Sequence, residues 1–198
     1  MGLLVVFWGG TAGALEEAKY EVVLTEGAFE LRDYAPQVVA EVVVSGSLTG
    51  AGNRAFRPLY RYITGHNTGP TEIPMTAPVS QTAAPTRIPM TAPVSQTAAG
   101  DDWAVQFMMP ASQTLESLPQ PRDPAVRLRA IPGRRLAVIR YSGLWTRRAY
   151  RRHLARLEAW VADRGWTPSG AAPIWARYNP PFTLWFRRRN EILLPLKE

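Results

Sequence analysis

The chain of 198 residues predicts an α+β fold: a pseudo-two-fold, distorted antiparallel β-barrel flanked by two α-helices. Three observations lead there. The order hairpin, helix, strand, strand occurs twice, over residues 20–110 and 125–198. Ser45-Gly46 and Ser142-Gly143 stand at matching places before the two helical stretches, and Gly65 and Gly165 end those stretches. Two such halves can close face to face into one sheet-rich body, with a helix from each packed outside.

Residues 20–25 and 29–34 flank Glu26-Gly27 and read as a hairpin. Ala35-Pro36 breaks the pattern, and the valine-dominated residues 37–45 form the next strand. Ala55, Phe56, Leu59 and Ile63 recur at helical spacing and place the first helix over residues 49–64. Pro58 lies inside it, so the helix is either kinked or starts later, because an interior proline removes a hydrogen bond. Residues 103–109 alternate as a strand that Pro110 closes. In the second half, residues 126–130 and 135–141 flank Pro132-Gly133 as another hairpin. The second helix, residues 146–164, turns Tyr150, Leu154, Leu157 and Val161 inward. Arg147, Arg148, Arg151, Arg152 and Arg156 lie mostly off that stripe, and His153 among them reads as a surface side chain. Residues 174–178 and 191–196 supply two more strands around the loop 179–190.

One stretch departs from this regularity. The twelve residues 73–84 return without change as residues 88–99. Two copies cannot make a solenoid, which needs three or more units to bury its faces. Pro74, Pro78, Pro89 and Pro93 withhold backbone donors, which argues against a helix and against a central strand. The stretch therefore reads as a duplicated edge strand. A second reading makes it the wall of a ligand site, with Met75 and Met90 as soft apolar contacts.

Composition narrows the function. With no cysteine, disulfides, thiolate zinc sites and cysteine nucleophiles are excluded. The net charge of +7 is uneven: residues 1–100 carry 6 Lys and Arg against 8 Asp and Glu, whereas residues 101–198 carry 17 against 8. A basic half suits an anionic small molecule, a membrane surface, another anionic partner docking on the arginine-rich helix, or a nucleic acid. No helix-turn-helix, zinc-finger or ribonucleoprotein motif is present, so no nucleic acid is expected. Catalysis is not expected either: there are two histidines, no His-Glu-x-x-His and no Gly-x-Ser-x-Gly. Glu30, Asp33 and Glu191 could pair, but Asp33 and Glu191 stand beside Arg32 and Arg189 and read as members of structural ion pairs.

Residues 1–19 read as an N-terminal extension. The apolar run 3–8, followed by Ala12-Gly13-Ala14, resembles a secretory signal with cleavage after Ala14. It differs in lacking Lys or Arg before the run. Export to the periplasm is the expectation, and a cytoplasmic location follows if residues 1–14 are not a signal.

Six separated motifs in residues 20–196 resemble the SOUL haem-binding protein family. They are Phe29-Glu30-Leu31-Arg32-Asp33-Tyr34, Ala51-Gly52-Asn53-Arg54-Ala55-Phe56 and Ile73-Pro74-Met75-Thr76-Ala77-Pro78-Val79. After these come Val138-Ile139-Arg140-Tyr141-Ser142-Gly143, Tyr178-Asn179-Pro180-Pro181 and Arg188-Arg189-Asn190-Glu191. The resemblance implies one domain over residues 20–198. It also implies non-covalent binding of haem or another tetrapyrrole in an apolar cleft between the first helix and the loop before the last strand. Carried over, the helix offers Arg54, Phe56, Tyr60 and Arg61, and the loop offers Tyr178, Phe182, Leu184 and Trp185. Aromatic walls suit a flat macrocycle, and guanidinium forks suit its propionates. Arg61 falls where the family has a basic residue near the propionates. A second basic position of the family is Thr183 here, with Arg187 as the substitute. His66 is the candidate axial ligand to iron; the other reading is an exposed loop histidine, leaving haem held by packing and propionates.

Two further classes stay open. The fold also resembles the ligand-sensing domains of multidrug regulators, which take flat or cationic apolar compounds. The arginine-rich helix alternatively serves as a docking face for a protein or membrane.

Overall fold

The protein, seen in a computed structural model, is described over residues 16–68, 88 and 90–197. The expected signal at residues 1–14 and the first duplicated copy, residues 73–84 with Met75, lie outside the described residues. In chain order the elements begin with β1 (Glu16–Glu17), β2 (Tyr20–Glu26), β3 (Phe29–Tyr34), β4 (Gln37–Val44) and α1 (Leu48–Ile63). There follow β5 (Asn67–Thr68), β6 (Thr91–Ala92), β7 (Val94–Ala99), β8 (Asp102–Met108), β9 (Gln120–Pro121), β10 (Arg127–Ile131) and β11 (Arg134–Tyr141). The chain ends with α2 (Arg147–Asp163), β12 (Ile174–Arg177) and β13 (Asn190–Pro195).

Nine strands form one curled antiparallel sheet in the order β10-β4-β8-β7-β12-β13-β11-β3-β2. The two-fold relation is visible in that order. β4 leads through α1 to the pair β7 and β8, and β11 leads through α2 to the pair β12 and β13. β7 and β12 meet at the centre, with Val94 opposite Arg177.

The expected hairpin at Pro132-Gly133 does not form. β10 pairs with β4, while β11 pairs with β3 and β13. A tight Pro-Gly turn would need a left-handed φ at Gly133, and Gly133 is not among the glycines that have one. The connection instead runs straight past its counterpart at Ala35-Pro36. An added Cβ on Gly133 would lie 3.0 Å from the Tyr34 carbonyl and 3.3 Å from Pro36 Cδ. Each half therefore lends a strand to the other, β3 to β11 and β10 to β4, and this exchange closes the curl.

The duplicated segment also departs from expectation. In its second copy Pro93 follows a cis peptide bond, and the next six residues form β7 in the middle of the sheet. The prolines exclude only themselves from the ladder, so a central strand begins one residue later. α1, by contrast, runs through Pro58 as one helix. Its start is set by Ser47, whose side chain accepts from the Gly50 N–H.

Side chains alternate between two sheet faces. On one face α1 covers Ala40, Val42, Val105 and Phe107 with Ala55, Leu59 and Tyr62. On the same face α2 covers Ile139, Trp175 and Ile192 with Leu157 and Val161. His153, expected at the surface, is 7% exposed and stacks on Tyr141 at 4.0 Å. It lies one turn from Leu157 and so shares the inward stripe. The five arginines of α2 named above stay exposed. The other face is concave and carries Tyr34, Leu136, Val138, Ile174, Ala176 and Leu193.

Candidate ligand cleft

Beside the buried stripe of α1 lie two aromatics that the core leaves uncovered. Phe56 and Tyr60 are 41% and 44% exposed and stack with their centroids 5.6 Å apart. Phe56 also rests edge-on against Phe107 of β8 at 5.5 Å. One turn earlier, Gly52 abuts Arg177 of β12: a Cβ there would fall 1.8 Å from Arg177 Nη2. The stripe Gly52, Phe56, Tyr60 thus looks across β7 toward β12. Phe107 pairs with Val94, and Val94 with Arg177. Two strand spacings, about 10 Å, separate the strand under Phe56 from the point where the chain leaves β12.

The chain leaves there as the loop 179–189, which is apolar and outward-facing. Phe182, Leu184, Trp185 and Phe186 are 85%, 57%, 56% and 52% exposed. So much apolar surface in five residues marks a contact site rather than ordinary surface. Hydrogen bonds fix the loop from within. Arg188 donates from Nε to the Thr183 carbonyl and from Nη2 to the Pro181 carbonyl, both at 2.7 Å. Asn179 Oδ1 accepts from the Arg189 N–H at 2.6 Å, and the Trp185 carbonyl accepts from the Gly143 N–H at 3.0 Å.

Between helix and loop sits Trp145, from the turn before α2. Its ring lies 4.3 Å from the Arg188 guanidinium and 5.1 Å from that of Arg177. Its Nε1 donates to Asn190 Oδ1 at 2.7 Å. Sequence reasoning passed over Trp145, Arg177 and Gly52. The available signal was alternation: Arg177 shares the inward face of Trp175, two residues earlier, with no acid beside it in β12.

The other predicted residues do not all converge. Arg54 donates to the Ser45 carbonyl and packs against Gly46 at the start of α1. Arg61 is nine positions, or about two and a half turns, beyond Gly52, so it leaves the helix on the opposite, exposed side. His66 is tied by backbone bonds to Arg61 and Arg122, on the flank of α1 where Tyr62 donates to the Pro119 carbonyl. That flank faces away from Phe56 and Tyr60. Tyr178 emerges on the concave face, where its hydroxyl donates to Glu191 Oε2 at 2.7 Å. Of the predicted residues, Phe56 and Tyr60 on the helix and Phe182, Leu184 and Trp185 on the loop are the large apolar side chains left exposed.

Residues 15–195 match the family described as SOUL heme-binding protein. The chain belongs to that family. No curated protein sequence matches the chain. Among solved structures, this SOUL protein resembles the EcmrR C-terminal domain, with a TM-score of 0.62 at 12% identity over 90% of this chain and 98% of that one. It also resembles a hydrolase from Listeria innocua, with a TM-score of 0.58 at 13% identity over 88% of this chain and 94% of that one. At such identities the likeness is one of fold.

The concave face of this SOUL domain is the alternative place for a ligand. Its pocket is lined by Tyr20, Tyr34, Met108, Arg134, Leu193 and Tyr178, among others. Beneath these, Glu191 is fully buried, but Arg32 donates to both its oxygens at 2.9 and 3.1 Å. Arg189 Nε adds a bond at 3.0 Å. Burial alone would raise the pKa of Glu191, yet these bonds and charges hold it below the usual carboxylate value. The carboxylate is thus ionised and already neutralised. Asp33 is likewise paired, with Arg135.

Proposed function

We propose that this SOUL protein binds haem or a related tetrapyrrole non-covalently in the cleft between α1 and the loop 179–189, as a carrier or buffer. The observation that carries the reading is the exposure of aromatics on both elements, Phe56 with Tyr60 on α1 and Phe182 with Trp185 on the loop. Walls of that kind take a flat apolar macrocycle by stacking and area burial. When bound, a haem would bring its iron; the residues of this chain supply packing and charge. Ligands of the cationic class fit less well, because the buried carboxylate of the concave face is already committed to Arg32 and Arg189.

The test is a titration of the purified protein with haem and with metal-free protoporphyrin, followed by absorbance. Saturable one-to-one binding of both supports the reading; no saturable binding of either removes it. A Soret band unmoved by His66→Ala would assign the hold to packing and charge, whereas a shift would make His66 the axial ligand. We further propose export, on the apolar run and Ala12-Gly13-Ala14. N-terminal sequencing of the secreted or periplasmic protein would show Leu15 first; an intact Met1 on the mature protein would overturn export.

A further inference from the structure

Arg177 is 8% exposed, and no carboxylate among the described residues reaches it. The deeply placed Arg32 and Arg189 each hold carboxylates. Arg177 instead has the faces of Trp145 and Trp175, 5.1 and 5.2 Å from its Cζ. It makes one long hydrogen bond, from Nη2 to Gln96 Oε1 at 3.4 Å, and its Nε has no partner. Nearby, the Trp175 indole N–H approaches the Tyr141 hydroxyl, although neither completes a well-formed hydrogen bond. Arg177 and Tyr141 stand on either side of Asn190 in the same row of the sheet. Asn190 offers no help, because its side chain is occupied by Trp145 and the Gly143 carbonyl.

Burying a guanidinium without an anion is costly, and so is leaving buried donors unmade. A glycine inside a helix adds a further cost, yet Gly52 is what lets α1 lie against the guanidinium. Cation–π contacts with two indoles recover only part of this. An anion would satisfy the guanidinium, since a carboxylate accepts the fork of Arg177.

We propose that Arg177, seated between Gly52, Trp145 and Trp175, is a receptor for a carboxylate of the ligand, so that the cleft selects flat apolar molecules that carry one over those that do not. The proposal rests on the tetrapyrrole reading for the identity of the ligand, and for the site on a buried guanidinium that no carboxylate among the described residues meets. It moves the anionic contact from the solvent side of α1, where Arg61 lies, to the floor between α1 and β12. Trp145 positions the receptor from above, stacked between Arg177 and Arg188.

The experiment compares the full chain with Arg177→Gln and Gly52→Ala, titrated by fluorescence with metal-free protoporphyrin and with its dimethyl ester. Without iron, axial ligation plays no part. The expected result is that the unsubstituted protein prefers the diacid by about tenfold or more. Arg177→Gln loses that preference while its affinity for the ester changes by less than about threefold. Gly52→Ala does the same with the charge retained, because its Cβ occupies the place of the guanidinium, and it carries the test if Arg177→Gln does not fold. Equal binding of acid and ester by the unsubstituted protein, or an acid preference that survives both substitutions, overturns the receptor while leaving porphyrin binding in place. If neither porphyrin binds, the tetrapyrrole reading falls, and thermal melting with benzoate decides the receptor. Stabilisation that Arg177→Gln abolishes keeps it; no stabilisation ends it.

Discussion

Glu191 keeps its charge with no exposed surface because Arg32, Arg189 and Tyr178 all donate to it. Glu191→Gln leaves buried Arg32 with Glu30 as its one remaining carboxylate, and loss of one partner of a buried pair costs about 3–5 kcal/mol; urea unfolding at neutral pH measures it. His153 is the opposite case, a buried base kept neutral. Burial, then the charges of Arg152 and Arg156, hold its pKa down to about 4 from an ordinary 6.5, and Tyr141 stacked on it from β11 adds no acid. Between those pH values the unfolded chain takes up a proton that the folded protein refuses. Stability therefore falls as pH drops from about 6.5 to about 4, by up to about 3 kcal/mol. Glu191 works in a lower window: its pKa is depressed by folding, so its contribution is present above the ordinary carboxylate value and lost below it. His153→Gln should flatten the upper part of the acid limb and leave the lower part, as read from urea midpoints at pH 7 and pH 5. A slope unchanged by the substitution would show that His153 is not its source.

At the scale of the element, α1 has three separate jobs. One side, with Ala51, Ala55 and Leu59 at its centre, packs on β4 and β8. The opposite side meets water and carries Arg61. The flank between them holds Gly52 against Arg177 of β12 and leaves Phe56 and Tyr60 exposed. Replacing both aromatics, Phe56→Ala with Tyr60→Ala, should weaken haem binding by about tenfold or more. The loss of stability should stay near about 1 kcal/mol, since both rings are partly exposed. Arg61→Ala should leave haem affinity within about twofold. A larger effect from Arg61 than from the aromatic pair would put the ligand on the wrong flank in this account. The loop 179–189 is shaped chiefly by Arg188, which bonds two carbonyls of its own loop while stacking on Trp145.

The whole molecule is two halves that cannot be separated. β3 of the first half pairs with β2 on one side and with β11 of the second half on the other, and β10 of the second half pairs with β4 of the first. Chains covering only residues 16–122 or 123–197 would each expose a strand edge and lack a neighbour for it. Neither should fold alone, and circular dichroism of each fragment checks this; a folded fragment would mean that the exchange is not required. The intact protein should unfold in one transition. Gly133→Val, placed where the two connections touch, should destabilise by about 1–3 kcal/mol through overpacking against Tyr34 and Pro36.

Much of this architecture was legible in residue order. Hydrophobic spacing located both helices to within a residue or two, and Gly65 and Gly165 marked their ends with left-handed backbone. The two Ser-Gly echoes pointed to a two-fold body, and the strand order bears it out. The apolar loop could be listed from Phe182 to Trp185 because its residues are consecutive. What failed to show was pairing. Pro132-Gly133 has the composition of a hairpin turn, but its geometry depends on where the neighbouring connection passes.

Sequence by itself determined both helices, most of the strands and the family, because periodicity, turn residues and local motifs act over a few positions. Tertiary structure alone decided which cations matter and where. Arg32 and Arg189 meet Glu191, whereas Arg177 meets no carboxylate among the described residues, and nothing in the spacing of Arg32, Arg177, Arg189 and Glu191 distinguishes them. His153 and Tyr178 likewise took their environments from strands distant in sequence. The physical reason is that burial and charge pairing are set by what packs from other parts of the chain. A guanidinium's function depends on the anion it finds or lacks.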